Sequence, residues 1–455
     1  MKAEKDKKNK KEEEEEEEEV EEVEEEVEEE EDFEDQVGED FAKDPRAFSY
    51  LQDAGRIADE ALQAILPKLV PGANLYDLCT QSDAFIMDKL SKIYTKKKFI
   101  KGLAFPTCIS VNEVCGNYSA PAEITDDPHE KKCLVEGDVA KVDLGVEIHG
   151  FAAVAAHTVV VTSKPDEKVT GPKADAILAA YQSLHAALRM MKVKSSTNND
   201  ITKTIDSICK DYNVNPIEGV LSHRMKRDII DGMETIINKT TYEQKVEDRQ
   251  FEHGDVFGMD VIVSTGEGKP KETGIKTSVY KRALETTYKL RTDSGRRLLS
   301  VVENNFYSFP FTFNVFDKEE NVKLKSEIPN LKTTMKLGLN ECTKYELLHG
   351  YPVLSEKKGD IVAQFKYTIA VREEGPVVVC GLPIDVSKYT SDKKITNETI
   401  VQTLSSNFDD YLPNYKKSVK VEKKKKDNKA KKAAKKAAKA KRKEEELKKR
   451  EEGKK

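Results

Sequence analysis

The sequence predicts an α/β (α+β) domain held between two highly charged tails, and three observations carry that reading. Apolar residues recur at helical spacing from Ser49 to Ile65 (Leu51, Ile57, Ala58, Ala61, Leu62, Ile65). Strand-like runs Val139 to Ile148 and Phe151 to Val161 flank His149-Gly150, which reads as a tight hairpin turn. Charge collects at the ends: residues 1–40 hold 24 acids against 6 bases, and residues 416–455 hold 21 bases against 7 acids. The middle of the chain has nearly balanced charge, as a globule does.

Taken in order, residues 12–31 are Glu throughout except Val20, Val23 and Val27. Like charges at that density repel and bury no apolar area, so residues 1–43 read as a disordered acidic extension. It is either a solubilising tail or a mimic of nucleic-acid charge. The folded domain is expected over 44–390, starting near Asp44-Pro45. Pro67 ends the first helix, and a second runs from about Leu75 to Ile93. Ala104 to Val111 reads as a strand. Ala174 to Met191 is a helix, and another covers about Asp200 to Asp211 with Asn198 or Asn199 as its cap. Val256 to Ser264 and Ile361 to Val371 are strands. Between them, about 280–350 carries helical stretches (Ser294 to Asn305, Leu337 to His349) and reads as an inserted helical subdomain. Residues 391–420 read as a linker and 421–455 as a Lys-rich tail.

Composition narrows the function classes. No stretch approaches the roughly 18 apolar residues of a membrane span, so no membrane partner is expected. The first residues are Lys- and Glu-rich, unlike a secretory signal. The seven cysteines form no CxxC pair, which fits a reducing compartment. The Lys runs of the tail suit phosphate contact. Lys423, Lys424, Lys425 and Lys426 form one run; Lys431, Lys432, Lys435 and Lys436 form two pairs. Arg224, Lys226 and Arg227 are a shorter basic cluster, read either as an RNA contact or as a solvated loop. Lys96 to Lys101 interleaves bases with Phe99, which suits RNA, although charges just past a helix C-terminus are the simpler account.

The chemistry-bearing candidates begin with Asp143 in the hairpin. A turn centred between Ile148 and His149 would pair it with position 154, and two carboxylates facing across a hairpin can clamp a metal pair. Residue 154, however, is Val. Cys115 has no base beside it in the sequence; His157 and His223 could be bases, although a lone His is more often a packed or hydrogen-bonded residue.

Several separated blocks then resemble known proteins. Ala104-Phe105-Pro106-Thr107 and Lys141-Val142-Asp143-Leu144-Gly145 are similar to segments of the type 2 methionine aminopeptidases. Pro216 to Gly219, Leu221-Ser222-His223, Ile230-Asp231-Gly232, Ser264 to Lys269 and Val362 to Lys366 resemble more closely their non-peptidase relatives, the proliferation-associated (receptor-binding) protein family. The resemblance covers about 45–390 and implies the pita-bread (creatinase/aminopeptidase-like) fold. The enzymes bind two metals with two Asp, one His and two Glu. Carried over, these fall on Asp143, Val154, His223, Asp260 and Lys366. The positions of Val154 and Lys366 bridge the metals in the enzymes, and neither side chain here can do so. Two pocket histidines of the enzymes fall on Asn117 and Ile230. Lys366 is expected to put its ammonium between Asp143 and Asp260, or else to extend to solvent.

The resemblance therefore implies no cofactor and no peptidase activity. It implies an adaptor for ribosomal RNA and the large ribosomal subunit, acting in ribosome biogenesis, translation and growth control, in cytoplasm, nucleus and nucleolus. Protein partners through the pocket or the acidic extension stay open. Two rival readings are a metal-dependent aminopeptidase with a degenerate site and an acidic chaperone for histones or basic ribosomal proteins.

Overall fold

A computed structural model describes residues 46–412 except 97–98, 123–129, 165, 318–325 and 329. Both charged tails, with all eight tail lysines named above, lie outside the described residues. Helix α1 (Ala47–Ile65) buries its apolar stripe and ends in a short 3-10 turn at Leu66–Lys68, where Pro67 stops the pattern. Helix α2 (Leu75–Ser91) starts at Asn74, whose side chain accepts from the Asp77 amide. Strands β1 (Lys101–Val111), β2 (Val139–Ile148) and β3 (Phe151–Val160) follow, then helices α3 (Pro172–Met190) and α4 (Asn198–Tyr212).

The cap of α4 is Thr197 rather than Asn198 or Asn199. Thr197 and Asp200 form a reciprocal capping box, and Asn198 is the first helical residue. Strand β4 (Val256–Ser264) precedes helices α5 (Asp293–Asn305) and α6 (Leu331–Lys344), and β5 (Val362–Arg372) and β6 (Gly375–Cys380) end the sheet. The main sheet has seven strands in the order β1-β2-β3-β5-β4 followed by the pair Asn215–Pro216, with β6 beside β5. All its pairings are antiparallel.

The helices cover one face of this sheet: α1 lies on β2 and β3, α2 on β1, and α3 on β4 and β5. On that face His157 packs edge-on against Phe365, and Phe365 and Tyr367 meet Tyr181 and His185 of α3 through edge-on ring contacts. Because strand residues alternate between faces, 143, 154, 260, 364 and 366 point the other way. There the sheet is the floor of a pocket, roofed by 217–231 and by 349–354.

The region between β4 and β5 holds α5 packed on α6, with Leu298, Val302, Met335 and Cys342 in its own small core. Val279–Arg282, Phe311–Thr312 and Leu348–Tyr351 form a three-stranded sheet that carries Tyr351 to the pocket. Contacts divide the chain between Ser405 and Ser406. Of the second unit, the described residues form one 3-10 turn, Phe408–Tyr411, with Asn407 accepting from the Asp409 amide.

The hairpin register differs from the sequence expectation. His149 and Gly150 both have positive φ, 59° and 83°, so they are the two central residues of the turn. The turn is centred between them, not between Ile148 and His149. Asp143 therefore faces Ala156, and Val154 faces Gly145. Val154 and Ala156 are two residues apart and still share the pocket face.

Candidate functional site

Register lines the side chains of the pocket floor into rows that run across the strands. One row is Cys108, Asp143, Ala156, Lys366 and Asp260. The row beside it contains Lys141 and Thr158, with Gln364 joined to Thr158 by two hydrogen bonds and paired with Ile262. The row on the other side contains Gly145, Val154, Thr368 and Gly258. Gly145 is needed there: a Cβ would lie 2.8 Å from the Phe105 amide nitrogen and 2.9 Å from Val154 Cγ1. Its absence lets β1 bring the Phe105 ring over the floor.

The central row alternates in charge. Lys366 Nζ lies 2.6 Å from Asp143 Oδ2 and 3.1 Å from Asp260 Oδ2, and its side chain is 15% exposed. The ammonium pairs as the sequence allowed, and does not reach out to solvent. Gln364 Nε2 donates to both oxygens of Asp260 at 3.0 Å and reaches Asp143 Oδ2 at 3.4 Å. The Phe105 ring centroid stands 5.6 Å from Nζ, within cation–π range. Burial alone would depress Lys366, but Asp143 and Asp260 outweigh it and hold the ammonium above the ordinary lysine range. Burial pushes Asp143 up against the pull of Lys366, and Asp260 adds to the push.

Around this floor is a cavity of about 480 Å³ whose lining includes Asn117, Val154, Ile217, Met225, Ile230 and Tyr351. His223 also lines it. Its Nδ1 lies 2.9 Å from the Gly232 carbonyl, which only accepts, so Nδ1 carries a proton and donates. Asn117 Nδ2 donates to the Pro352 carbonyl at 3.2 Å. All seven positions carried over from the aminopeptidases thus line one pocket.

These side chains do not fit a pair of divalent cations. A metal pair needs bridging oxygens. Val154 offers only hydrocarbon, and Lys366 already lies within hydrogen-bonding distance of the carboxylates a metal would use. Among the described residues no group of three or more His, Cys, Asp or Glu is placed to hold a metal ion.

Other candidates are resolved by geometry. Arg224, read as an RNA contact or part of a solvated loop, has a guanidinium 12% exposed that pairs with Glu234 at 2.9 Å and Asp255 at 2.8 Å. Carboxylates, not solvent, take its charge. Arg227 reaches His149 Nε2 at 3.3 Å, and Lys226 sits in a turn closed by its bond to the Ile229 carbonyl. Lys101 donates to the Leu90 and Ile93 carbonyls at the end of α2, as a helix-terminal cation does. Lys97 and Lys98 lie outside the described residues. The Cys115 thiol is pushed up to about 12 by burial, which keeps it protonated and poorly nucleophilic. Burial pushes His157 down to about 4, a packed neutral histidine.

Sequence reasoning missed Gln364 as a site residue, although its place two before Lys366 on a strand puts it on the same face. It also missed Lys281, which forms a close pair with Asp231 at the rim. That contact spans 50 residues and leaves no local signal.

Comparison with known proteins agrees with this geometry. Residues 49–279 match the model of metallopeptidase family M24. The chain is 36% identical to proliferation-associated protein A of Dictyostelium discoideum over 354 residues, covering 78% of this chain and 86% of that protein. It is 36% identical to the curved DNA-binding protein of Schizosaccharomyces pombe over 384 residues, covering 83% and 94%. A solved structure of a thermophilic Arx1 overlays with a TM-score of 0.71 at 26% identity, covering 80% of this chain and 99% of that one. The sheet with its helical cover is the pita-bread fold. No helix among the described residues is long and apolar enough to cross a membrane. The chain belongs to metallopeptidase family M24, among the proliferation-associated relatives of the methionine aminopeptidases.

Proposed function

We propose that this protein is a catalytically inactive aminopeptidase-like adaptor that binds ribosomal RNA and the large ribosomal subunit, in ribosome biogenesis, translation and growth control. The observation that carries the first half is the Lys366 ammonium between Asp143 and Asp260. A cation covalently tied to the floor opposes binding of the metal pair that would generate a hydroxide at neutral pH. The second half is supported by the proliferation-associated relatives, one of them named for DNA binding, and by the Lys-rich sequence after Val421. Such a sequence gains affinity by releasing counterions from phosphates. Nuclear, nucleolar and cytoplasmic residence follows from that reading.

Sedimentation with purified ribosomes tests the binding. The full chain is expected to pellet at low salt and to leave the pellet as salt rises, because each phosphate contact adds to the salt slope. A chain truncated before Val421 is expected to pellet far less. Equal pelleting of the two at every salt concentration would remove the tail from the reading. The rival peptidase reading is tested by Met release from a short peptide with added cobalt or manganese, where no turnover is expected.

A further inference from the structure

We propose that Lys366 is a resident counter-ion, a built-in cation that closes the pocket floor to divalent metals and holds its two carboxylates in place. This deepens the non-peptidase half of the proposed function and rests on it. Three features of the floor support the assignment.

The first is register. Asp143, Lys366 and Asp260 stand in one row of the sheet, so the ammonium is delivered between the carboxylates by backbone pairing and not by a chance rotamer. The second is enclosure. The Phe105 ring stands over the ammonium, and Gln364 donates to both carboxylates from the neighbouring row. Both fix the triad from directions that a free ion would need for its own ligands or waters. The third is an unused acceptor. Asp143 is 5% exposed, and its Oδ1 accepts no hydrogen bond from any described residue. One lysine thus offsets one of the two carboxylate charges without saturating the floor's oxygens. Removing the lysine leaves two buried carboxylates side by side, which is the chemistry that recruits a hard divalent cation.

The consequence is that metal affinity is suppressed, not erased, and one substitution should uncover it. The test uses the full chain with Mn²⁺ as probe. Wild type is expected to retain no Mn²⁺ after desalting and to keep its melting midpoint in millimolar Mn²⁺. Lys366→Met is expected to melt several degrees lower and to recover part of that loss in Mn²⁺, but not in KCl of equal ionic strength. A merely structural lysine would give a loss that no cation repairs. If Lys366→Met does not fold, the triple variant with Asp143→Asn and Asp260→Asn is expected to fold, since no charge is left to neutralise.

Stoichiometric Mn²⁺ on wild type overturns the inference. So does a Lys366→Met variant as stable as wild type, a variant whose midpoint Mn²⁺ leaves unmoved, or a triple variant that stays unfolded. Ribosome pelleting and Met release separate these outcomes from failure of the adaptor reading. Wild type that pellets but retains Mn²⁺ sinks only this inference, and wild type that releases Met sinks both.

Discussion

Two lysines stand on the same face of one sheet, in adjacent rows, and their surroundings treat them oppositely. Lys366 has two carboxylates within 3.1 Å, and its ammonium is held above the ordinary lysine range. Lys141 is 1% exposed, and its ammonium donates to the backbone carbonyl of Asn112 at 2.9 Å. Burial pushes it down to about 7, and Cys115, Glu113 and Asp138 only partly oppose that. A carbonyl can take one ammonium proton, but it supplies no countercharge. Desolvation therefore wins at Lys141, and Coulomb attraction wins at Lys366. Burial by itself does not decide the charge of a lysine; the register of carboxylates on neighbouring strands does.

The largest effect should come from breaking the matched site. Lys366→Met leaves Asp143 and Asp260 buried without a countercharge, a loss of about 3–5 kcal/mol. Urea unfolding at neutral pH measures it, and a midpoint equal to wild type would show that the pair contributes nothing. Lys141→Met should act in the opposite direction. The unfolded lysine titrates near 10.5 and the folded one at about 7. Between those values the unfolded chain binds more protons, so wild-type stability rises with pH. The variant lacks that penalty. Its gain should be about 3 kcal/mol at pH 7 after allowing for the lost hydrogen bond, and should close as pH approaches 10. Unfolding curves at pH 7 and pH 10 check it, and a gain that does not shrink with pH would mean the lysine keeps its proton on folding.

How much of this was legible in the sequence depends on distance along the chain. The hairpin strands, α1 and the sheet's long central strands were readable because period-two and period-3.6 patterns are local. That Val154 and Lys366 share one pocket with Asp143 was readable too, because flanking motifs place all three. The register of the hairpin was not, since it turns on which two residues take positive φ, and a shift of one residue moves every pair. The fate of Arg224 was equally hidden. Nothing near it signals that Asp255, 31 positions on, takes its charge. The same holds for Gln364, whose value lies in reaching Asp143 over 221 residues.

Glu147 sharpens the comparison with a group of opposite sign. It shares the pocket-side face of β2 with Lys141 and Asp143, since all three are an even number of residues apart. It is 1% exposed and accepts from the Gly150 amide at 3.1 Å. Burial pushes its carboxyl up to about 7; the Gly150 hydrogen bond opposes that, and Asp228 adds to it. The sign is the reverse of the Lys141 case. Between pH 4.5, where the unfolded group titrates, and about 7, the folded state binds more protons, so wild-type stability falls as pH rises. Glu147→Gln keeps an oxygen for the Gly150 amide and never ionises. It should match wild type near pH 4.5 and exceed it by about 3 kcal/mol at pH 8. Its advantage thus grows with pH over the acid range, whereas that of Lys141→Met fades over the alkaline one. If both variants moved with pH in the same direction, the burial-against-partner account of this sheet face would fail.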